Sequence, residues 1–166
     1  MMKNPILIAG SIFAAIFVFG SDQPAVRVES TDSLGPRTLE KQTKAAVVRD
    51  YLQAWGSFSR AFEQNRADIL DADFVGVARE KLEDTIREQA KLGIQTRYRD
   101  GAHDLQLVFY SPEGMSIQLL DTVEYDVQIL DHEKLLTTQH VRARYVAVLT
   151  PTEVRWKVRI FQAEPE

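Results

Sequence analysis

The feature that most constrains the fold is a change in the spacing of apolar residues at Gly93. Before this glycine, apolar side chains recur every three to four residues, which is typical of helices packed on a core. After it, apolar and polar side chains alternate, which is typical of strands with one buried face. The sequence therefore predicts two helices followed by a run of antiparallel strands, an α+β arrangement.

The two predicted helices differ in how clearly their ends are marked. The first covers residues 39–65, and Asp50 lies on its polar side. The second begins near Asp68, a good N-cap type, and ends at Lys91 in front of Gly93. The apolar side chains expected to be buried are Val48, Tyr51, Leu52, Trp55, Phe58 and Phe62 in the first helix, and Leu70, Phe74, Val77, Ala78, Leu82, Ile86 and Ala90 in the second.

The strand region is divided by short segments that are rich in turn residues. One of these segments, 100–104, contains His103, which we therefore expect in a surface turn. The others carry proline, glycine or charged residues between longer alternating runs. The predicted strands, in order, are 94–98, 105–110, 115–131, 135–149 and a last strand that begins at Val154.

The lengths of the predicted turns set which residues face each other across the sheet. A three-residue loop in the first hairpin sets Leu105 opposite Asp121, and a three-residue loop at 132–134 sets Asp121 opposite Tyr145. The same registers bring Glu124 opposite Arg142 and Asp126 opposite His140. We therefore expect one acidic side chain, Asp121, among the inward-facing apolar residues.

The end of the sheet and its curvature lead to three further expectations. Strands of this length must bend, and we expect a bulge near Asp121. A four-residue turn at 150–153 would set Arg144 opposite Arg159. The inward face of the last strand is predicted to carry Val154, Trp156, Val158 and Ile160.

This layout resembles the nuclear transport factor 2-like superfamily. The resemblance covers about residues 39–162 and lies in the first helix with Tyr51 and Trp55, the second helix, the long hairpin strands and the closing run from Val154 to Val158. It implies a cone-shaped α+β fold, with the helices packed on the concave face of a curved antiparallel sheet. The superfamily includes isomerases, polyketide-cyclase-like proteins, epoxide hydrolases and many non-enzymes, so the fold alone does not choose a function.

The N-terminal segment predicts export. Residues 1–20 form an apolar run with one charge, Lys3, which fits either a cleaved signal peptide or an uncleaved single membrane anchor through residues 5–20. Either alternative places the rest of the chain outside the cytoplasmic membrane, in the periplasm or another extracytoplasmic compartment. Residues 21–37 are predicted to be a flexible tether, 38–163 the cone-fold domain and 164–166 a tail.

Composition excludes several classes of function. The chain of 166 residues has no cysteine, which removes thiol catalysis, disulfides and cysteine-based zinc sites. Its net charge is −4, which argues against nucleic acid as a partner. The three histidines, His103, His132 and His140, are not spaced as metal ligands, and glycine-rich phosphate loops are missing. We therefore expect neither a cofactor nor a dedicated metal site.

Asp121 is the one candidate catalytic residue. An acidic side chain among apolar neighbours can act as a general acid or base, with a tyrosine hydroxyl as a second donor. The alternative is a structural role, with Asp121 hydrogen-bonded to the backbone or to a tyrosine. The aromatic residues around it fit either a packed core, which we favour, or the wall of a small pocket. The residues predicted to line that pocket are Tyr51, Trp55, Tyr98, Asp121, Tyr125, Tyr145 and Trp156.

A basic outer face is the second candidate site. It is predicted to carry Arg142, Arg144, Arg155, Lys157 and Arg159. One alternative is a solvated face that is neutralised by the cross-strand carboxylates and adds little stability. The other is a docking face for an acidic protein partner, for anionic headgroups or for a second copy of the chain.

Two functions follow from these features. The first, which we favour, is a non-catalytic interaction or assembly domain of the cell envelope, exported or anchored in the membrane. The alternative is a small-molecule binding protein, or an isomerase- or lyase-type enzyme, with a pocket around Asp121. An enzyme of this type needs an open cavity of roughly 300–1,000 Å³ that reaches Asp121, whereas an assembly domain is expected to have a filled interior.

Overall fold

The computed structural model describes residues 25–29 and 37–164. The predicted signal peptide or anchor, and most of the predicted tether, lie outside the described residues. Within the tether segment the structure shows a short strand, β1 (Val26–Glu29), which pairs in parallel with the strand that contains His103. The sequence analysis missed this strand because four residues at a sheet edge are too few to show a period.

Helix α1 (Lys41–Gln64) agrees with the prediction, but the second helix begins later than expected. A 3₁₀ helix (Ala67–Ala72) precedes α2 (Gly76–Lys91), so the expected start near Asp68 is wrong. The helix is interrupted because residues 73–75 run beside Val158: the amide of Val158 donates to the carbonyl of Asp73, and the amide of Val75 donates back to the carbonyl of Val158.

The later start also changes which side of α2 is buried. Ala78, Ile86 and Gln89 are buried, whereas Val77 is 54% exposed and Ala90 is exposed. The prediction that Val77 and Ala90 face the core is therefore wrong. It assumed one continuous helix and extended the helical spacing of Leu70 and Phe74 into α2, whereas these two residues precede α2. Leu70 and Phe74 are themselves buried, in the connection between α1 and α2.

Within residues 25–29 and 37–164, the sheet has five strands in the order β1-β2-β3-β4-β5. The strands that follow the helices are all antiparallel to their neighbours, as predicted: β2 (Ile94–Tyr110), β3 (Ile117–Asp131), β4 (Lys134–Pro151) and β5 (Trp156–Ala163). The α+β cone fold, with helices on the concave face of a curved antiparallel sheet, is confirmed.

The central registers agree with the predictions. Leu105 lies opposite Asp121, and Asp121 lies opposite Tyr145. The loop between β3 and β4 is one residue shorter than predicted, since His132 and Glu133 alone form the turn, both with positive φ (46° and 69°). A register shift at Leu130 compensates for the missing loop residue, which is why the register beyond it is still the predicted one.

The bulge that bends the sheet is not at Asp121, as predicted, but in β2. The register shifts between Arg99 and Ala102, so Asp100 and Gly101 stand against the single residue Tyr125. The chain therefore continues as one strand from 94 to 110, and the predicted surface turn at 100–104 is wrong. As a result, His103 is 3% exposed and faces the core.

A second bulge changes the faces of β5. The register shifts between Leu149 and Val148, which leaves Arg159 as the extra residue. Phe161 consequently packs on the core, while Ile160 is 38% exposed; Val154 lies in the preceding turn and is 81% exposed. The predictions that Val154 and Ile160 face inward are wrong.

Candidate functional site

Three elements bring polar side chains together in the centre of the core. The Oδ2 atom of Asp121 on β3 lies 2.7 Å from the hydroxyl of Tyr51 on α1, which donates to it, and 2.8 Å from Nδ1 of His103 on β2. Asp121 is 0% exposed and Tyr51 1%. We call these three residues the Asp121 cluster. Since an ionised carboxylate can only accept, Nδ1 of His103 carries the hydrogen when Asp121 is charged.

The second oxygen of this carboxylate, Oδ1, has no hydrogen-bond partner among the described residues. Nearby, the hydroxyls of Tyr125 and Tyr145 lie 3.0 Å apart, and one of them donates to the other. That pair uses one of its two hydroxyl hydrogens. A buried polar atom without a partner costs about 1–3 kcal/mol, so the centre of the core keeps unused hydrogen-bonding capacity.

Trp55 covers the Asp121 cluster. Its ring centroid lies 5.1 Å from that of His103, 5.8 Å from Tyr125 and 5.3 Å from Tyr145. Trp55 is itself 8% exposed. An aromatic ring with this many neighbours fills the space between α1 and the sheet, so the cluster is enclosed on the side of the helix.

Burial changes the acidity of the tyrosines in this core. It raises the pKa of Tyr51 well above its ordinary value, and the neighbouring charge of Asp121 raises that pKa further. Burial also raises the pKa of Tyr98, Tyr125 and Tyr145. The phenols are therefore neutral hydrogen-bond donors at neutral pH, and an acid–histidine–tyrosine cluster of this kind has the groups needed for proton transfer.

The structure brings together most of the residues predicted to line a pocket. Tyr51, Trp55, Tyr98, Tyr125 and Tyr145 surround Asp121 or one another. Trp156 does not join them: it is half-buried at the start of β5, where its backbone amide donates to the buried carboxylate of Asp50 over 2.9 Å. Asp50 was expected on the polar side of α1 but is 2% exposed.

His103 is the residue of this site that the sequence analysis missed. The signal was available, since the register that sets Leu105 opposite Asp121 also sets His103 opposite Val123, on the same inward face. Because the adjacent Asp100-Gly101 pair was interpreted as a turn, the alternation of inward-facing residues was not extended from Leu105 back to His103.

A third buried carboxylate, Asp73, joins α1 to the turn before β5. Its Oδ2 accepts from the hydroxyl of Ser57, and its Oδ1 accepts from Gln53 (3.2 Å) and from Arg155 (2.9 Å). Asp73 is 1% exposed. Arg155 is thereby drawn towards the helices instead of standing on the outer face.

Three of the other residues predicted for the basic face have polar partners. Arg142 lies 3.5 Å from Glu124, the pairing that the register predicted, and Arg144 lies 3.1 Å from Glu164. The expectation that Arg144 faces Arg159 is wrong because the turn lies at 152–155, between the paired residues Pro151 and Trp156, instead of at 150–153. Lys157 donates to the carbonyl of Asp71, and Arg159 is exposed.

The outer face of the sheet also carries an apolar patch. Its members face away from the helices. Along a strand they alternate with buried core residues, or they lie directly opposite residues that do so. Phe109 is 40% exposed and Ile160 38%. We call this surface the outer patch, and it consists of Phe109, Leu120, Val146, Val148 and Ile160.

The architecture has the nuclear transport factor 2-like fold. No protein-family model matches the chain, and no curated protein is significantly similar to it. Among solved structures, the intermembrane space region of the chloroplast protein ARC6 is similar with a TM-score of 0.60 and 17% identity, over 78% of this chain and 100% of that one. In the part of the chain that the structure describes, the helices are too short or too polar to cross a membrane.

Two bacterial structures are also similar. One, from Novosphingobium aromaticivorans and provisionally assigned as a scytalone dehydratase, has a TM-score of 0.53 and 13% identity, over 76% of this chain and 89% of that one. The other, from Streptomyces avermitilis and provisionally assigned as a dehydratase of the NTF2-like family, has a TM-score of 0.47 and 14% identity, over 74% and 98%. The likenesses to the ARC6 region and to the Novosphingobium structure support the fold alone.

Proposed function

We propose that this chain is an exported or membrane-anchored, non-catalytic assembly domain of the cell envelope that binds a protein through the outer patch. The observation that carries this proposal is the burial of the Asp121 cluster. Asp121 is 0% exposed and Trp55 packs over His103, so the groups suited to chemistry are closed to solvent. A substrate of ordinary size needs an open cavity at such groups.

The outer patch supplies the surface that a binding function needs. Leu120 lies directly opposite Val146, and Val148 lies opposite Ile160, so the apolar side chains are continuous across three strands. Contiguous apolar groups at the surface are typical of protein interaction sites, and polar residues such as Gln118 and Arg144 border them. The partner is either a second copy of the chain or a different protein.

Export is supported by the sequence and by one comparison. The apolar residues 5–20 are suited to a signal peptide or a single membrane span. The ARC6 region, which this chain covers over its full length, lies in an intermembrane space. That protein is an example of this fold in an extracytoplasmic compartment.

Site-specific photo-crosslinking in cells tests this function. A photoreactive residue replaces Gln118, which borders the outer patch between Phe109 and Val148. A matched variant carries it at Glu80, an exposed position on α2. We expect a discrete crosslinked product from position 118 in the membrane or envelope fraction, and none from position 80. The mass of the product distinguishes a second copy from another protein. Equal products from both positions, or none from position 118, would contradict the proposal.

A second candidate function is supported by one specific observation. The unpartnered Oδ1 of Asp121 and the spare hydroxyl hydrogen of the Tyr125–Tyr145 pair are suited to a small hydroxylated ligand. With His103 as its neighbour, Asp121 would then act as a general acid or base in an isomerase- or lyase-type reaction. The similar bacterial structure assigned as a dehydratase is consistent with this alternative. The ligand-binding alternative requires Trp55 to move, and it therefore predicts an interior that opens to small molecules.

A further inference from the structure

The outer edge of strand β4 is paired along only part of its length. Strand β5 pairs with β4 from Tyr145 to Pro151, and the amide of Glu164 donates a 2.7 Å hydrogen bond to the carbonyl of Arg144. Among the described residues, no strand pairs with the rest of this edge, from Lys134 to Ala143. We call this segment the open β4 edge.

The hydrogen bond at Arg144 shows which backbone groups of the open β4 edge point outwards. Residues of an antiparallel strand direct their N–H and C=O groups alternately to one neighbouring strand and to the other. Because the carbonyl of Arg144 points away from β3, the backbone groups at alternate preceding positions do so as well. These positions are Thr138, His140 and Arg142. The register with β3 is unbroken over residues 137–143, so the outward groups form one regular row.

The side chains along much of this edge are also uncovered. Residues 132–140 are all exposed, so this part of β4 is covered on neither face. Leu135 and Leu136 are 51% and 55% exposed. A regular strand edge with free N–H and C=O groups is a template for a further strand, whose main-chain hydrogen bonds supply the affinity.

The charge of β4 indicates which kind of strand fits beside it. The strand carries Lys134, Arg142 and Arg144 and no acidic residue. Next to Arg144, the chain itself supplies an acid, since the carboxylate of Glu164 lies 3.1 Å away. Two residues further along the edge, the side chain of Arg142 is 68% exposed and lies 3.5 Å from Glu124 of β3. This contact is long and exposed, so the guanidinium group has donors left for a second carboxylate on its open side.

We propose that the open β4 edge binds an extended segment of a partner protein, which joins the sheet as a further strand in line with β5. The segment carries acidic residues at alternate positions, one of which lies opposite Arg142. A second copy of the chain does not fit by the same edge, because two β4 strands would place basic and neutral residues alone against each other. The open β4 edge shares no residue with the outer patch, so the proposal goes beyond the proposed function.

Amide hydrogen exchange of the full chain, measured by NMR in a zwitterionic detergent, tests this proposal. The outward amides are those of Thr138, His140 and Arg142. The internal controls are the amides of Gln139 and Val141, which point towards β3. The probe is a synthetic heptapeptide of alternating glutamate and valine, and the control peptide carries lysine in place of glutamate.

We expect the outward amides to exchange rapidly in the free chain and several-fold more slowly with the glutamate peptide, with little change at the control amides. The lysine peptide should give no protection. Arg142→Gln is expected to weaken the protection, whereas Arg87→Gln, at a 55% exposed arginine on α2, should leave it unchanged. His140→Pro removes an outward donor at an edge position, where a strand tolerates proline, and should abolish the protection.

Unchanged exchange with the glutamate peptide, equal protection by both peptides, or protection that Arg142→Gln leaves unchanged would overturn the proposal. Slow exchange of the outward amides in the free chain would also overturn it. If that slow exchange depends on protein concentration, a second copy is the occupant; if it does not, the chain itself covers the edge. These outcomes do not affect crosslinking at Gln118, so failure of this proposal is distinguishable from failure of the proposed function.

Discussion

The hydroxyl of Tyr51 donates a 2.7 Å hydrogen bond to the carboxylate of Asp121, and this bond links α1 to the middle of the sheet. Both residues are buried, and Asp121 lies between Leu105 and Tyr145 on the neighbouring strands. The bond therefore fixes the position of the helix across the concave face. It also satisfies one oxygen of a carboxylate that is removed from water.

Tyr51→Phe is expected to lower the free energy of unfolding by about 1–3 kcal/mol, because it removes one of the two donors to a buried carboxylate. Urea denaturation followed by circular dichroism measures the change. Tyr98→Phe is the matched control, since no hydrogen bond of the Tyr98 hydroxyl is found among the described residues, and it should leave stability almost unchanged. Similar stability for the Tyr51 variant and the natural chain would refute a structural role for this bond.

Alkaline titration should separate the folded from the unfolded chain. The pKa of Tyr51, Tyr98, Tyr125 and Tyr145 is raised above the ordinary value of 10.0 by burial. A raised pKa in the folded state means that stability is full below pH 10 and falls as the pH rises above it. Absorbance at 295 nm should therefore show most tyrosines ionising at higher pH in the native chain than in urea. Coincident titration curves would contradict the burial of these phenols.

Asp73→Ala is expected to lower the free energy of unfolding by about 2–3 kcal/mol. Breaking a fully buried ion pair costs roughly 3–5 kcal/mol, but the side chain of Arg155 is 28% exposed and regains some water. Asp71→Ala is the control two residues away, where a 57% exposed carboxylate pairs with Arg79, and should cost at most about 1 kcal/mol. Equal losses in urea denaturation would show that Asp73 does not anchor β5.

Glu133→Gly is expected to stabilise the chain by about 1 kcal/mol. Glu133 has a φ of 69° in the two-residue turn between β3 and β4, and a left-handed conformation costs a residue with a Cβ atom about 1–2 kcal/mol. Part of that gain is lost to the greater freedom of glycine in the unfolded chain. Thermal unfolding should show a higher midpoint, and a lower one would mean that the Glu133 side chain contributes to the fold.

Much of the fold was predictable because the alternation of apolar and polar residues along a strand determines which side chains face the core. Once Leu105, Asp121 and Tyr145 were aligned by turn length, the inward position of the buried carboxylate followed, and the structure confirms that register. The stripe of α1 was equally clear, because Tyr51, Trp55 and Phe58 recur at helical spacing. In these segments, local preference and tertiary packing agree.

The wrong predictions for His103 and Ile160 lie at or next to bulges, where a strand contains one extra residue. His103 was missed because the Asp100-Gly101 pair in front of it was interpreted as a turn, although its inward position follows the alternation of Leu105. In β5, the extra residue Arg159 places Phe161 on the core face in place of Ile160. A bulge has no sequence period, so alternation cannot predict it. The burial of Asp73 was also missed, since it depends on partners as distant in sequence as Arg155.

The proposed non-catalytic function depends most directly on a closed interior, and the three histidines of the full chain can test whether the interior is closed. Diethyl pyrocarbonate modifies accessible imidazoles, and mass spectrometry locates the products. The side chains of His132 and His140 are 82% and 68% exposed, whereas that of His103 is 1% exposed. We predict rapid modification of His132 and His140 and protection of His103 until urea unfolds the chain. Modification of His103 at a similar rate in the native protein would contradict a sealed core and favour the ligand-binding alternative.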